Sequence, residues 1–241
     1  MWKVLLLVLA FVVADAGAGI ADQTIGTAAI VVNNVSGTPQ NATTTTALHQ
    51  GDGLFSNERI ETAKDSKAQL LFADQTALSM GPQSKLVLDK FVYDPNRNVG
   101  TVVLQTVSGA FRFIGGVADT TPGSSYSVQT PVGTIGIRGT YFEWVVQGNY
   151  LWAMLTQGAI EVCLTNNECA TVDKPGTYLV TGGNHISDIR YWNGPASDMR
   201  YGTNPDGLYL TYLGSLAPPR GQTVSSPAPP TCKPGQGCVV K

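Results

Sequence analysis

Charge is scarce in this sequence. Asp, Glu, Lys and Arg make up 13% of its 241 residues, about half of the roughly 25% usual for soluble domains. The 15 basic and 17 acidic residues leave a net charge of -2. This excludes disorder driven by charge and a nucleic-acid binder working through a basic surface. Histidine is scarcer still, with His49 and His185 alone. His49 closes a Thr-rich stretch, and His185 has Asp188 nearby but no periodic element to hold the two in register, so both read as surface residues. No G-x-S-x-G elbow encloses a serine, and no Gly-rich phosphate loop opens a helix. Asp74 with Glu58 or Asp52 is the one imaginable carboxylate pair, and a turn-forming Asp74 is the plainer account. Neither catalysis, a cofactor nor a metal is expected.

Long apolar runs are absent after the first thirteen residues. The start itself, Met1-Trp2-Lys3 followed by the apolar run Val4 to Val13 and then Ala14, Ala16, Ala18 and Ala21, has the layout of a secretory signal peptide, and its apolar run is too short for a spanning helix. Residues 1–21 are therefore expected to be removed, leaving an exported protein with no membrane span. The four cysteines form two C-x5-C pairs, Cys163 with Cys169 and Cys232 with Cys238. Four cysteines allow three connectivities, of which local pairing is the economical one. The spacing suits zinc poorly, since its ligands usually come as C-x2-4-C.

What the sequence has in quantity is turns. Its 27 Gly and 14 Pro stop short of the roughly 25–30% of low-complexity chains and suit many short strands. From Thr24 to about Gly183, runs of four to eight alternating apolar residues end in turn dipeptides, the pattern of half-buried antiparallel strands. Ala68–Ala73 and Thr76–Met80 read as a hairpin. Thr101–Val107 and Ala110–Ile114 read as separate strands broken at Ser108-Gly109, and Gln157-Gly158 as the turn before another strand. The looser stretch from Gly115-Gly116 through Asp119–Gly123 reads as a surface loop. Between Ile137 and Phe142 the apolar phase changes from odd to even positions, which predicts a β-bulge at Arg138-Gly139. Phe142 and Trp144 then share the inward phase. The Arg138 guanidinium is expected to brace that bulge through Thr130, Thr140 or nearby carbonyls, the alternative being a grip on an anionic ligand. LQTVSGAF at Leu104–Phe111 and MLTQGAI at Met154–Ile160 share a Gly-Ala step and suggest stacked hairpin units. Residues 184–215 lose the alternation and form a Tyr/Gly-rich extension able to wrap over the domain, and 216–241 read as a Pro-rich tail.

Gly51-Asp52, Asn57–Thr62, Ala68-Gln69-Leu70, Asp74-Gln75-Thr76, Thr130-Pro131 and Ile137-Arg138-Gly139-Thr140-Tyr141-Phe142 together resemble the FecR-type domain, over roughly Gly26 to Gly183. The motif residues are Thr130, Pro131, Arg138, Gly139, Thr140 and Phe142. The resemblance implies an all-β domain, here residues 22–183, built of stacked antiparallel hairpins as a compact sandwich or solenoid, in the periplasm of a Gram-negative bacterium. Family members that regulate a sigma factor carry a cytoplasmic region ahead of a spanning helix. This sequence reads directly from signal to β-domain, so the expectation is a non-enzymatic module that binds a protein partner in the envelope through loops or a strand edge. Tyr141, Tyr150, Trp152, Tyr191 and Trp192 are the candidate contact residues. Envelope carbohydrate, stacked on Tyr150, Trp152, Tyr191 and Trp192, is the alternative.

Overall fold

The computed structural model describes residues 24–182 and 184–191. Every regular element among them is a strand. In chain order they are β1 (Thr24–Val32), β2 (Val35–Thr38), β3 (Thr46–Ala47), β4 (Gly53–Phe55), β5 (Arg59–Thr62), β6 (Lys67–Phe72), β7 (Ala77–Met80) and β8 (Lys85–Asp94). Then follow β9 (Val99–Ile114), β10 (Ser125–Thr130), β11 (Gly133–Gln147), β12 (Tyr150–Leu164), β13 (Cys169–Val172), β14 (Thr177–Gly182), β15 (His185–Ile186) and β16 (Arg190–Tyr191). All hydrogen-bond into one continuous sheet that does not close into a barrel.

Three strands of fifteen or sixteen residues, β9, β11 and β12, organise this sheet. Each changes neighbours halfway. The first part of β9 lies between β8 and a parallel β10, while its second part lies between β7 and β11. Likewise β11 passes from β10 to β9 while keeping β12 along its whole length, and β12 exchanges β14 for β13. The sheet thus folds into two layers. Layer one runs β5, β8, the start of β9, β10, the start of β11, the end of β12, and β13. Layer two runs β4, β1, β6, β7, the end of β9, the end of β11, the start of β12, and β14.

A straight strand would separate Val102 from Phe113 by about 36 Å at roughly 3.3 Å per residue. Tyr126, which pairs with Val102, nevertheless meets Phe113 edge-on with ring centroids 6.3 Å apart, so β9 must fold back on itself. Phe72 of layer two stacks on Phe91 of layer one at 5.3 Å in the same way. The bends fall at Gly109, Gly139 and Gly158, whose φ values of 114°, 59° and 84° lie in the region that side chains avoid. At the last of these the chains nearly touch, since a Cβ on Gly158 would sit 2.0 Å from the carbonyl oxygen of Gly139.

Three expectations are corrected by this geometry. Ser108-Gly109 and Gln157-Gly158 do not end strands; each bends one long strand, and the shared Gly-Ala step marks those bends rather than repeated hairpins. The antiparallel expectation fails at β9–β10, which is parallel. Strand pairing also runs past Gly183 to Tyr191. The phase change does carry a bulge, with register shifts between Arg138 and Phe142, and Phe142 and Trp144 are buried in the core, stacked at 4.8 Å. Between the layers lies one core with Phe111, Phe113, Phe142 and Trp144 at its centre.

Candidate functional site

The motif residues converge on the turns and bends that hold the layers together. Thr130 lies at the β10–β11 turn, where Oγ1 accepts from the Val132 and Gly133 amides and donates to the Gly133 carbonyl at 2.9 Å. This makes Thr130-Pro131 a turn motif. Thr62 donates to the Gly81 carbonyl at 2.6 Å and accepts from the Ser84 amide at 2.9 Å, pinning the end of β5 to the β7–β8 connection.

At the β11 bend, the expected role of Arg138 passes to another residue. The Arg138 side chain is exposed. The bulge is held by Asp119, whose two carboxylate oxygens accept from the Gly139 amide at 3.1 Å and the Thr140 amide at 2.8 Å. Thr140 Oγ1 accepts from the Arg138 amide at 3.0 Å and donates to the Ala159 carbonyl at 2.9 Å, tying both bends together. Asp119 comes from the stretch that reads as a surface loop, yet it is buried. Nothing local in Asp119-Thr120-Thr121-Pro122-Gly123 distinguishes a buried acceptor from a turn former. Burial raises its carboxyl above the usual range, against the lowering effect of the two amides, with Asp74 adding repulsion.

Asp74 does form the expected turn, accepting from the Thr76 amide at 3.0 Å. It is also fully buried, which the sequence pattern does not indicate. Its other oxygen accepts from Thr76 Oγ1 at 2.7 Å and from the Tyr126 hydroxyl at 2.5 Å, bridging the layers. Burial first, and Asp74 second, push the Tyr126 phenol far up. A phenol bonded to one acid, with a second acid near enough to repel both, could serve proton transfer. Here both Asp74 oxygens and both Asp119 oxygens accept from donors of the fold itself, and the arrangement reads as a latch. His49 and His185 are exposed, facing Asp52 at 3.5 Å and Glu168 at 2.9 Å respectively.

The candidate contact residues separate. Tyr141 is half-buried, with the Arg112 guanidinium 5.8 Å from its ring centroid. Trp152 is only 8% exposed and packs 6.0 Å from Tyr178, which takes it away from the surface where a sugar would stack. Trp192, Cys232 and Cys238 lie outside the described residues. Tyr150 and Tyr191 are 48% and 62% exposed. They stand at opposite ends of β14, Tyr150 beside Gly182 and Tyr191 beside Thr177, and between them Tyr150, Tyr178, Val180, His185 and Arg190 line a mostly apolar cleft of about 220 Å³. Tyr178 and Arg190 carry no sequence signal of their own, because the β14–β16 pairing alone brings them beside Tyr150. A second groove of about 650 Å³, between β2, β3 and the Thr45–Gln50 segment, mixes Asn, Thr and Ser with apolar Val31, Val35 and Leu48, beside His49 and Glu61. Cys163 and Cys169 face each other in register across β12 and β13 and are disulfide-bonded.

Residues 58–161 match the family model described as FecR protein. No curated protein matches the chain. Two crystal structures of a candidate anti-sigma factor from Parabacteroides distasonis align with TM-scores of 0.45 and 0.44 at 14% and 13% identity, covering 56% of this chain and 59% of that one. The aligned part thus spans less than two thirds of that protein's length. The matched segment opens on Glu58, whose carboxylate accepts from the Phe55 amide at 3.1 Å, and runs through both Gly139 and Gly158. Over residues 58–161 the chain thus resembles the FecR protein family.

Proposed function

We propose that this chain is a non-enzymatic, extracytoplasmic interaction module that binds a protein partner in the cell envelope through the β14 edge, where Tyr150 and the 185–191 segment carry exposed apolar side chains. One observation carries the reading. Among the described residues, six large apolar side chains are strongly exposed; Tyr150, at 48%, lines the tyrosine-lined cleft, and Ile189 at 43% and Tyr191 at 62% belong to the 185–191 segment that supplies the cleft's His185, Ser187 and Arg190. Aromatic residues beside an apolar pocket are the usual anchors of protein recognition. The outer side of β16 has no strand partner among the described residues, so a partner strand has an edge to extend. Export to the periplasm is supported by the signal-like start and by a disulfide, which suits an oxidising compartment. The regulatory character belongs to the family reading.

A photo-crosslinker at Tyr150, and separately at Tyr191, tests this in the native host. Recovery of one dominant envelope protein at both positions, abolished by an Ile189→Asp change, is the expected result. Recovery of glycan-linked material instead, or of no adduct at either position, would overturn the proposal.

A further inference from the structure

The two layers present unlike outer faces. In a sandwich, side chains alternate between the core and water. Layer one obeys this rule, since its outward Gln105, Ser125, Gln129, Thr134, Arg138 and Glu161 are all half-buried or exposed. Layer two does not. One outward row crosses it through the register pairs Gln69–Ser79, Ser79–Arg112 and Arg112–Glu143. Those four residues are 2%, 0%, 9% and 4% exposed. In the next row, Ala110 at 0% and Trp152 at 8% are equally hidden, and Ala110 packs with Ile30 and Val145 in a small cluster separate from the main core. Arg112 Nη2 lies 2.5 Å from Glu143 Oε1 in this face, an ion pair taken out of water. No described strand lies across it, because all sixteen belong to the two layers or their edges.

We propose that the chain's own continuation, residues 192–216, lies across the outer face of layer two as a third layer. The occupant follows from where the chain goes. Tyr191 pairs with Thr177 on β14, at the border of this face. From β14 to β6 the face is five strand spacings wide, about 24 Å, whereas 25 extended residues reach about 80 Å. The chemistry fits as well. The run Leu208-Tyr209-Leu210-Thr211-Tyr212-Leu213 contains no charged residue, so it can shield the Arg112–Glu143 pair from water without adding an unpaired charge. The cleft of the partner reading lies at the β14 border of this face, and the positions tested below, Val145 and Met154, lie inward of it.

Photo-crosslinking in the full chain tests it. A benzophenone side chain replaces Val145, or separately Met154, both half-buried on this face, with Gln105 of layer one as the control position. The expected result is an adduct at monomer mass whose linked peptide falls within 192–216, absent from the control. Linkage to residues 1–23, an adduct at dimer mass, an adduct with another protein, or none at either position would each overturn the proposal. A second measurement covers misfolding of the labelled chains: Leu210→Asp with Leu213→Asp should raise binding of a hydrophobic dye several-fold while leaving the β-sheet circular dichroism intact. Unchanged dye binding would also count against it.

Discussion

Replacing Gly158 by Ala should cost the domain far more than the same change at Gly139, although Gly139 is the more prominent in the sequence. Both residues have positive φ, 84° and 59°, so each alanine bears a left-handed backbone cost of about 1–2 kcal/mol. Their surroundings differ. A Cβ on Gly139 would lie 3.0 Å from the Thr120 Cγ2 atom, a side-chain end that can turn aside. On Gly158 it would lie 2.0 Å from the Gly139 carbonyl oxygen and 2.7 Å from its carbon, atoms of the backbone. To relieve that contact β11 and β12 must separate at their common bend, which adds an overpacking cost of about 1–3 kcal/mol. Gly158→Ala should therefore lose about 2–5 kcal/mol and Gly139→Ala about 1–2 kcal/mol. For a domain of this size each kcal/mol moves Tm by about 2–4 °C, so the expected drops are about 4–20 °C and 2–8 °C. Urea unfolding followed by circular dichroism at constant m-value gives the two free energies directly. Equal costs, or a larger cost at Gly139, would refute the claim that the two bends are in backbone contact.

Arg138→Ala should leave stability within about 0.5 kcal/mol by the same urea titration, because its side chain lies in solvent and Asp119 holds the bulge. A loss of 2 kcal/mol or so would restore the bracing role to Arg138. Asp119 has a carboxyl raised by burial. Its contribution is complete below the ordinary carboxylate value of about 3.9 and is lost as pH rises through the raised folded value. The Tm advantage of the wild type over Asp119→Asn should accordingly widen as pH falls from 7 toward 4, and a narrowing gap would contradict the sign. Glu143→Leu leaves the Arg112 charge buried without its carboxylate and should cost about 3–5 kcal/mol, whereas Arg112→Met with Glu143→Leu should recover most of it. A double variant no better than the single one would show that the pair is not coupled.

The alternation of apolar residues was enough to recognise strands, and the odd-to-even switch before Phe142 was enough to place a bulge. Both depend only on the two-residue period of a strand. The sequence did not reveal that one strand serves two layers. A glycine in mid-run looks the same whether the chain turns back or merely bends, and at Gly109 and Gly158 only the partners on either side decide. Asp74 and Asp119 were hidden for a related reason: a carboxylate that ends a turn and one that caps buried amides share the same neighbours in sequence. The cleft at Tyr150 was half legible. Density of aromatics pointed to it, but Trp152 and Tyr150, two residues apart on one strand, share a face and differ in exposure because Trp152 lies further in from the edge.

The division of β9, β11 and β12 between the two layers has a consequence for the way the domain comes apart. Where each sheet of a sandwich owns its strands, one sheet can open as a unit before the other. Here neither layer owns a complete set of strands, so opening one strips the middle strands from the other at the glycine bends. Amide protons on either side of Gly109, Gly139 and Gly158 should exchange as a single cooperative class, and a fragment cut at any of those residues leaves two halves without a fold of their own.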